Sequence, residues 1–268
     1  MVTASNDHYG AAYETFNSEL LTRIRSEAFG EDIGQNGWQT ADEQDVFLDW
    51  LGLGPHHRVL DFGCGAGGPT LRIAEKTGCV VDGIDIDIRA IEAARDRAKR
   101  SQVEHRASFH VSGEDLLLPF GNGAFDAVIS VDAINHVLDR VVLFAEWRRL
   151  LRPGGRVLFT NPAVMTGPIS GEDLTVRSSI GRFLFTPAHS DPELLQATGF
   201  RVVRQADRTQ NVAVSARRRF EARARHATDL IRSEGAELFA RQQRFFDTAY
   251  RLAEQGCLSR HLVLAEAV

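Results

Sequence analysis

A doubly wound α/β fold is predicted by three features of the sequence. Short β-branched runs alternate with helical patterns, a glycine-rich turn joins the first such run to the first helix, and the composition is that of a globular chain. The alternation starts near residue 57 and indicates a parallel sheet covered on both faces. Strands are expected near residues 58–62, 79–85, 107–112, 124–131, 155–160, 200–206 and 261–265. Residues 69–76, 88–99 and 140–151 carry apolar side chains at helical spacing and supply the crossovers.

With 268 residues, 43% of them hydrophobic, the chain is long enough to bury a full core. Its net charge of -5 gives no support for a counterion-releasing nucleic-acid surface. The arginine-rich stretch 217–225 is the exception; it lies at helical spacing and contains Glu221, so it reads as a solvated helix face rather than a binding patch. Cys64, Cys79 and Cys257 are odd in number and lack metal-ligand spacing, which implies a reducing compartment, no disulfide framework and no metal site. No leader-like segment opens the sequence and no stretch has the length and apolarity of a membrane span, so a cytoplasmic protein without membrane association is expected.

The strongest local signal is Val59-Leu60-Asp61-Phe62-Gly63-Cys64-Gly65-Ala66-Gly67-Gly68-Pro69-Thr70, an apolar strand entering a glycine turn and then a helix. Glycines at 63, 65 and 67 allow a tight turn and close approach of a ligand to the backbone. Gly63, Gly65 and Gly68 also satisfy the dinucleotide fingerprint, with Asp85 at the distance of a ribose-binding acid. Asp61 separates the two readings. A carboxylate beside the helix N-terminus repels a pyrophosphate, whereas S-adenosylmethionine (SAM) has no phosphate and carries an ammonium and a sulfonium.

The pattern continues past the loop with Gly83-Ile84-Asp85, Ser112-Gly113-Glu114-Asp115-Leu116, Leu118-Pro119-Phe120, Phe125-Asp126-Ala127-Val128 and Leu151-Arg152-Pro153-Gly154-Gly155. This ordered series, over residues 57–161, resembles class I SAM-dependent methyltransferases of the small-molecule type. The resemblance implies a Rossmann-like sheet of seven strands with the last antiparallel. It also implies that Asp61, Gly63, Cys64, Gly65 and Gly67 surround the methionyl end, with Cys64 only a small residue in the turn. Asp85 would hold the ribose, Ile86 one adenine face, Glu114 or Asp115 the adenine amine, and Val131 would line the same site.

At the end of the fourth strand, Ser130-Val131-Asp132-Ala133-Ile134-Asn135-His136 is similar to a D-x-x-x-H stretch of small-amine N-methyltransferases, including the phosphoethanolamine and sarcosine/dimethylglycine enzymes. Phe29-Gly30-Glu31-Asp32-Ile33 with Gly37 resembles the segment before the core in the phosphoethanolamine group. Imidazole titrates near neutrality, so His136 is a candidate general base or orienting group, and Asp132 a candidate to hold an ammonium or fix the ring. The alternative is that both only tie the strand end to the next helix. Tyr9 and Tyr13, four apart, share a helix face and either close over the site or pack on the core. Trp38 offers an aromatic face for a cation or belongs to the core. Arg182 is a candidate anchor for a carboxylate or phosphate, or a surface arginine.

The expected organisation is a helical lid over 1–51, a SAM-binding core over 52–165, an acceptor-side segment with the sixth strand over 166–212, a cap of two helices over 213–257, and the last strand over 258–268. The expected activity is methyl transfer to a small molecule, first to the nitrogen of an amine or amino acid and next to oxygen or carbon. A nicotinamide-dependent oxidoreductase and a protein that binds SAM without turnover are the competing classes.

Overall fold

The structure, a computed structural model, describes Tyr13, residues 15–113 and residues 115–268. At its centre is an eight-stranded sheet of β1 (Arg58–Phe62), β2 (Val80–Asp85), β3 (Ala107–Val111), β4 (Phe125–Ser130), β5 (Leu151–Met165), β6 (Thr186–Pro187), β7 (Phe200–Asp207) and β8 (Leu258–Ala267). The spatial order is β3-β2-β1-β4-β5-β8-β7, with β6 beside β5. Pairing is parallel throughout except for β8, which runs antiparallel to both β5 and β7. The doubly wound sheet with an antiparallel last strand is therefore present. The strand beyond the expected seven is β6, a two-residue pairing with Val164 and Met165 that is too short to leave a periodic signal.

Because side chains alternate across a strand, neighbouring residues of β1 enter different cores. Leu60 joins Phe144, Trp147 and Phe159 under α5 (Arg140–Leu150), whereas Val59 joins Phe47 of α2 (Ala41–Leu51) and Ile73 of α3 (Gly68–Thr77). Each such large apolar side chain contributes roughly 1.5–3 kcal/mol by leaving water. Short polar residues start the helices. Asp87 accepts from the Arg89 amide at the head of α4 (Ile88–Lys99), Asp139 from Val142 at α5, Thr40 from Glu43 at α2, and Ser18 from Leu21 at α1 (Glu19–Phe29).

After β5 come α6 (Gly171–Arg177) and α7 (Ser190–Ala197). Between β7 and β8 lie three helices, α8 (Thr209–Arg225), α9 (Ala227–Glu234) and α10 (Ala236–Glu254), where two were expected. The extra boundary falls at Gly235, whose φ of +86 ends α9 where the sequence offers no proline.

The arginine stretch on α8 is only partly solvated, which corrects the sequence reading. Arg217 is exposed beside Glu221, but Arg219 donates to the carbonyls of Asn36 and Gly37, buried Arg223 pairs with Glu234, and Arg225 pairs with Glu27 of α1. Arg219 and Arg225 thereby fasten the N-terminal segment to α8, and Arg223 ties α8 to α9. All three cysteines are free and buried. Among the described residues no helix is long and apolar enough to cross a membrane.

Candidate active site

The carboxyl ends of β1, β2 and β4 open into a cavity of about 450 Å³. Parallel α/β sheets place ligands at this edge, where the strand order reverses. The loop after β1 is folded back onto β2 by the amides of Gly63 and Cys64, which both donate to the Ile84 carbonyl at 2.8 and 2.9 Å. Gly63 has φ +75, and a Cβ there would lie 2.4 Å from the Ala133 Cβ, so only glycine lets β1 and the end of β4 approach this closely.

Two acids stand in this wall. Asp61 is 5% exposed and accepts a 2.5 Å hydrogen bond from Thr70 Oγ1. Burial, with a smaller push from neighbouring Asp85, raises its pKa to about 6. Asp85 accepts from the Gly65 amide at 2.9 Å through Oδ2 and from the Asp87 amide at 3.0 Å through Oδ1. Burial raises its pKa as well, against the opposing effect of those amides. A buried carboxylate and a half-buried one, neither in an ion pair among the described residues, make a wall suited to a cation.

Next to the acids the wall turns apolar. Ile86 is 49% exposed, a bare aliphatic side chain against the cavity, with Leu116 and Val131 also lining it. Ser112 and Gly113 form the edge expected of residues 112–116, but Asp115 is exposed and off the wall, and Glu114 lies outside the described residues. Asp115 thus does not occupy the position inferred for the adenine contact, because the chain turns away at Leu116, whose φ is +59. Gly67 is also displaced from its inferred role. It precedes the first turn of α3 and backs onto Ala94 and Phe109, where a Cβ would come within 2.8 Å, so it serves helix packing and not the cavity. Cys64 does line the cavity, with burial pushing its thiol pKa well up.

Beyond β4, Asp132 adopts φ +55 and is saturated with partners. Its Oδ1 accepts from Arg260 Nε at 2.6 Å and Thr160 Oγ1 at 2.8 Å; its Oδ2 accepts from the Trp38 amide at 2.7 Å and Arg260 Nη2 at 3.2 Å. Arg260 also donates from Nη1 to both oxygens of Glu43 at 2.7 and 2.8 Å. The carboxylate considered for an acceptor ammonium is therefore already neutralised from within, and in this structure it joins the end of β4 to β8 and to the segment before α2.

His136 Nδ1 lies 2.7 Å from the Arg182 carbonyl. A carbonyl only accepts, so Nδ1 carries the proton and Nε2 keeps its lone pair, facing Asn135 Nδ2 at 3.1 Å. Burial lowers the His136 pKa, which keeps the ring neutral near pH 7. Arg182 contributes this carbonyl, while its side chain is exposed at the cavity margin. Tyr13 reaches the cavity, its hydroxyl 2.9 Å from where a Cβ on Gly65 would sit; Tyr9 lies outside the described residues. Trp38 faces a second cavity of about 100 Å³, which also shares Asn36, Gly37, Asp132 and His136 with the first, and its ring is stacked 6.1 Å from that of Phe245.

Comparison with known proteins agrees with the geometry. Residues 60–159, from β1 to β5, match the methyltransferase domain family. This part of the chain is similar to class I methyltransferase domains. Methyltransferase GfsG of Streptomyces halstedii is 36% identical over 160 residues, 59% of this chain and 57% of that one. Phosphoethanolamine N-methyltransferase 1 of Zea mays is 32% identical over 182 residues, 68% of this chain and 35% of that one. In both cases less than two thirds of the relative is spanned. The cyclopropane synthase MmaA2 from Mycobacterium tuberculosis superposes with a TM-score of 0.82 at 19% identity, covering 99% of each chain, a likeness of fold.

SAM is the cofactor of this methyltransferase family, and the residues present fit it. Asp61 and Asp85 offer carboxylates without an ion pair among the described residues to a cationic ligand carrying ribose hydroxyls, and Ile86, Leu116 and Val131 offer an apolar wall to a base. Arg260, Glu43 and Thr160 were missed from sequence. The one signal was an arginine within the otherwise apolar run of β8. Arg177, at the end of α6 in the acceptor-side segment, is 1% exposed beside the second cavity.

Proposed function

We propose that this protein is a SAM-dependent methyltransferase acting on a small molecule, with the nitrogen of an amine or amino acid as the first choice of acceptor. The observation that carries the reading is the pair of carboxylates without an ion pair among the described residues, buried Asp61 and half-buried Asp85, at the carboxyl ends of adjacent strands. When bound, SAM supplies a methyl group already activated by positive sulfur. Its sulfonium and ammonium relieve the cost of these two negative charges, whereas the pyrophosphate of a nicotinamide cofactor would add to it.

The chain's own contribution is to position and to exclude water. Asp61, Asp85 and the turn at Gly63 and Gly65 fix one end of the cavity, and the lid, held through Trp38 and Gln44, covers it. In-line displacement at a carbon profits mainly from such positioning. A neutral His136, with its proton on Nδ1, orients an acceptor or takes its proton at Nε2 once the Asn135 amide moves aside. The likeness to the maize enzyme supports nitrogen as the acceptor; an oxygen or carbon acceptor would meet the same imidazole. A second cavity of about 100 Å³ beside His136 leaves room for an acceptor and favours turnover over a purely sensory role.

The test is calorimetric titration of the protein with SAM and, separately, with NADH. Binding of SAM alone, lost in Asp85→Ala, is the expected result; binding of NADH alone overturns the proposal. Release of S-adenosylhomocysteine during a screen of amines, amino acids, phenols and acids then separates the acceptor atoms.

A further inference from the structure

Asn135 stands between the imidazole and the second cavity. It belongs to the 3-10 turn Ile134–His136 that follows β4, and it is 1% exposed in the lining of that cavity. Its carbonyl is committed, accepting from the Leu184 amide at 2.7 Å. Its carboxamide is committed on one side only. Nδ2 lies 3.1 Å from His136 Nε2, whereas Oδ1 accepts from no donor among the described residues.

The neighbouring ring fixes which way round this amide stands. The Arg182 carbonyl takes the proton of His136 Nδ1, so Nε2 of the neutral ring only accepts, and the group that faces it is the NH2. Turning the amide over would set Oδ1 against Nε2 and demand a second ring proton, which burial opposes. Oδ1 is thus held away from His136 with its lone pairs unmet, and a buried acceptor without a donor is costly. Around it, Trp38, Ile180, Phe183, Phe245 and Phe246 give the cavity an apolar wall. Gly37, Asp132 and His136 line both cavities, so the junction between them lies beside this amide.

We infer that Asn135 Oδ1 accepts an N–H hydrogen of the nitrogen that is methylated, which makes the acceptor a primary or secondary amine. This rests on the methyltransferase reading and deepens it by naming the class of acceptor. In the step, the nitrogen lone pair forms the new N–C bond as the C–S bond breaks and leaves its electron pair on sulfur. The product departs as an ammonium that retains the hydrogen held by Oδ1. No base is required, in keeping with Nε2 being engaged by Nδ2, whereas a hydroxyl acceptor would have to lose its proton. Each transfer replaces one N–H. Methylation therefore ends at the tertiary amine, which has no hydrogen for Oδ1 while its lone pair is free.

Ligand-observed NMR titration of the full chain saturated with S-adenosylhomocysteine tests this. The probes are aniline, phenol and toluene, which are alike in size and uncharged near neutral pH. Failure of S-adenosylhomocysteine and SAM to bind refutes the methyltransferase reading itself. With S-adenosylhomocysteine bound, aniline should bind about tenfold tighter than toluene, as one hydrogen bond supplies. Asn135→Leu should erase that preference with S-adenosylhomocysteine affinity retained, and Asn135→Asp, which keeps an acceptor oxygen, should preserve it. A residue that only shaped the turn would change the binding of both probes alike. Equal binding of aniline and toluene to the native chain, or binding of neither, overturns the inference even if Asn135→Leu does not fold. An unchanged preference in a folded Asn135→Leu overturns it as well, and a preference for phenol alone overturns it in favour of a hydroxyl acceptor. In the amine screen, mass spectrometry should find products up to the tertiary amine, and a quaternary ammonium product would refute the limit on methylation.

Discussion

Arg260 Nε, near the start of β8, donates to Asp132 Oδ1 at 2.6 Å across the end of β4, with both side chains sealed from solvent. The same guanidinium holds Glu43 of α2, so a residue of β8, a residue after β4 and a residue of the N-terminal helices share one charge centre. Opposing partners on both sides push the Arg260 pKa further up, despite burial that would lower it.

Arg260→Leu should therefore be strongly destabilising. It strands two carboxylates in the interior, a change that costs about 3–5 kcal/mol. Urea denaturation followed by tryptophan fluorescence measures it. A loss below about 1 kcal/mol would show that the cluster does not hold the lid to the sheet.

Asp61→Asn should stabilise the ligand-free protein and weaken SAM binding together. The carboxyl's pKa is about 6 in the fold against an ordinary 3.8, so the folded chain holds its proton more tightly. Stability then falls as pH rises between those values, and at pH 7 the buried charge costs roughly 3 kcal/mol. The amide removes that cost and also removes the attraction for a cation. Thermal unfolding and calorimetry read the two opposite effects; a lower Tm in the variant would count against an unrelieved buried charge.

SAM affinity should be level above about pH 6.5 and decline as Asp61 takes up a proton, by at most about tenfold per pH unit below pH 6. Protonation of Asp85, whose pKa is likewise raised, steepens the decline. Calorimetry across pH 5 to pH 8 checks this, and an affinity that rises on acidification would contradict the assignment of the acids to the cation.

His136→Ala should lower kcat by about a hundredfold while SAM affinity stays within about twofold. Because the ring also holds the Arg182 carbonyl, His136→Gln is the companion variant that keeps a polar group there. Full turnover with the true acceptor in both variants would leave His136 only a structural task.

Gly68→Ala probes the lid seat. A Cβ at Gly68 would come 2.1 Å from the Ile33 carbonyl, a backbone group that cannot swing away. The expected loss is about 1–3 kcal/mol of stability, together with faster hydrogen exchange in the segment around Ile33.

Much of this arrangement was legible in the sequence because it is local. Strand β1 and helix α4 fall on the residues expected, since a short strand with apolar Val59, Leu60 and Phe62 before a glycine turn and an Asp-capped amphipathic helix announce themselves over a short window. Asp61 and Asp85 stood out for the same reason. What the sequence withheld was pairing at a distance. Arg260 meets Asp132 across 128 positions and Glu43 across 217, and no periodicity links them. The identity of Asp132 was visible, but its saturation was not, and that difference moves it from substrate contact to scaffold. Gly67 misled because a glycine in a ligand loop and a glycine packed under a helix leave the same mark.

On the methyltransferase reading proposed above, the acids Asp61 and Asp85 of the first cavity would also give turnover a direction. A ligand that arrives with a positive sulfur and leaves with a neutral one loses part of its hold on Asp61 and Asp85 at the moment of transfer. The wall that recruits the donor thus slackens on the spent molecule, and exchange for a fresh one runs downhill without any moving part having to sense that the reaction is over.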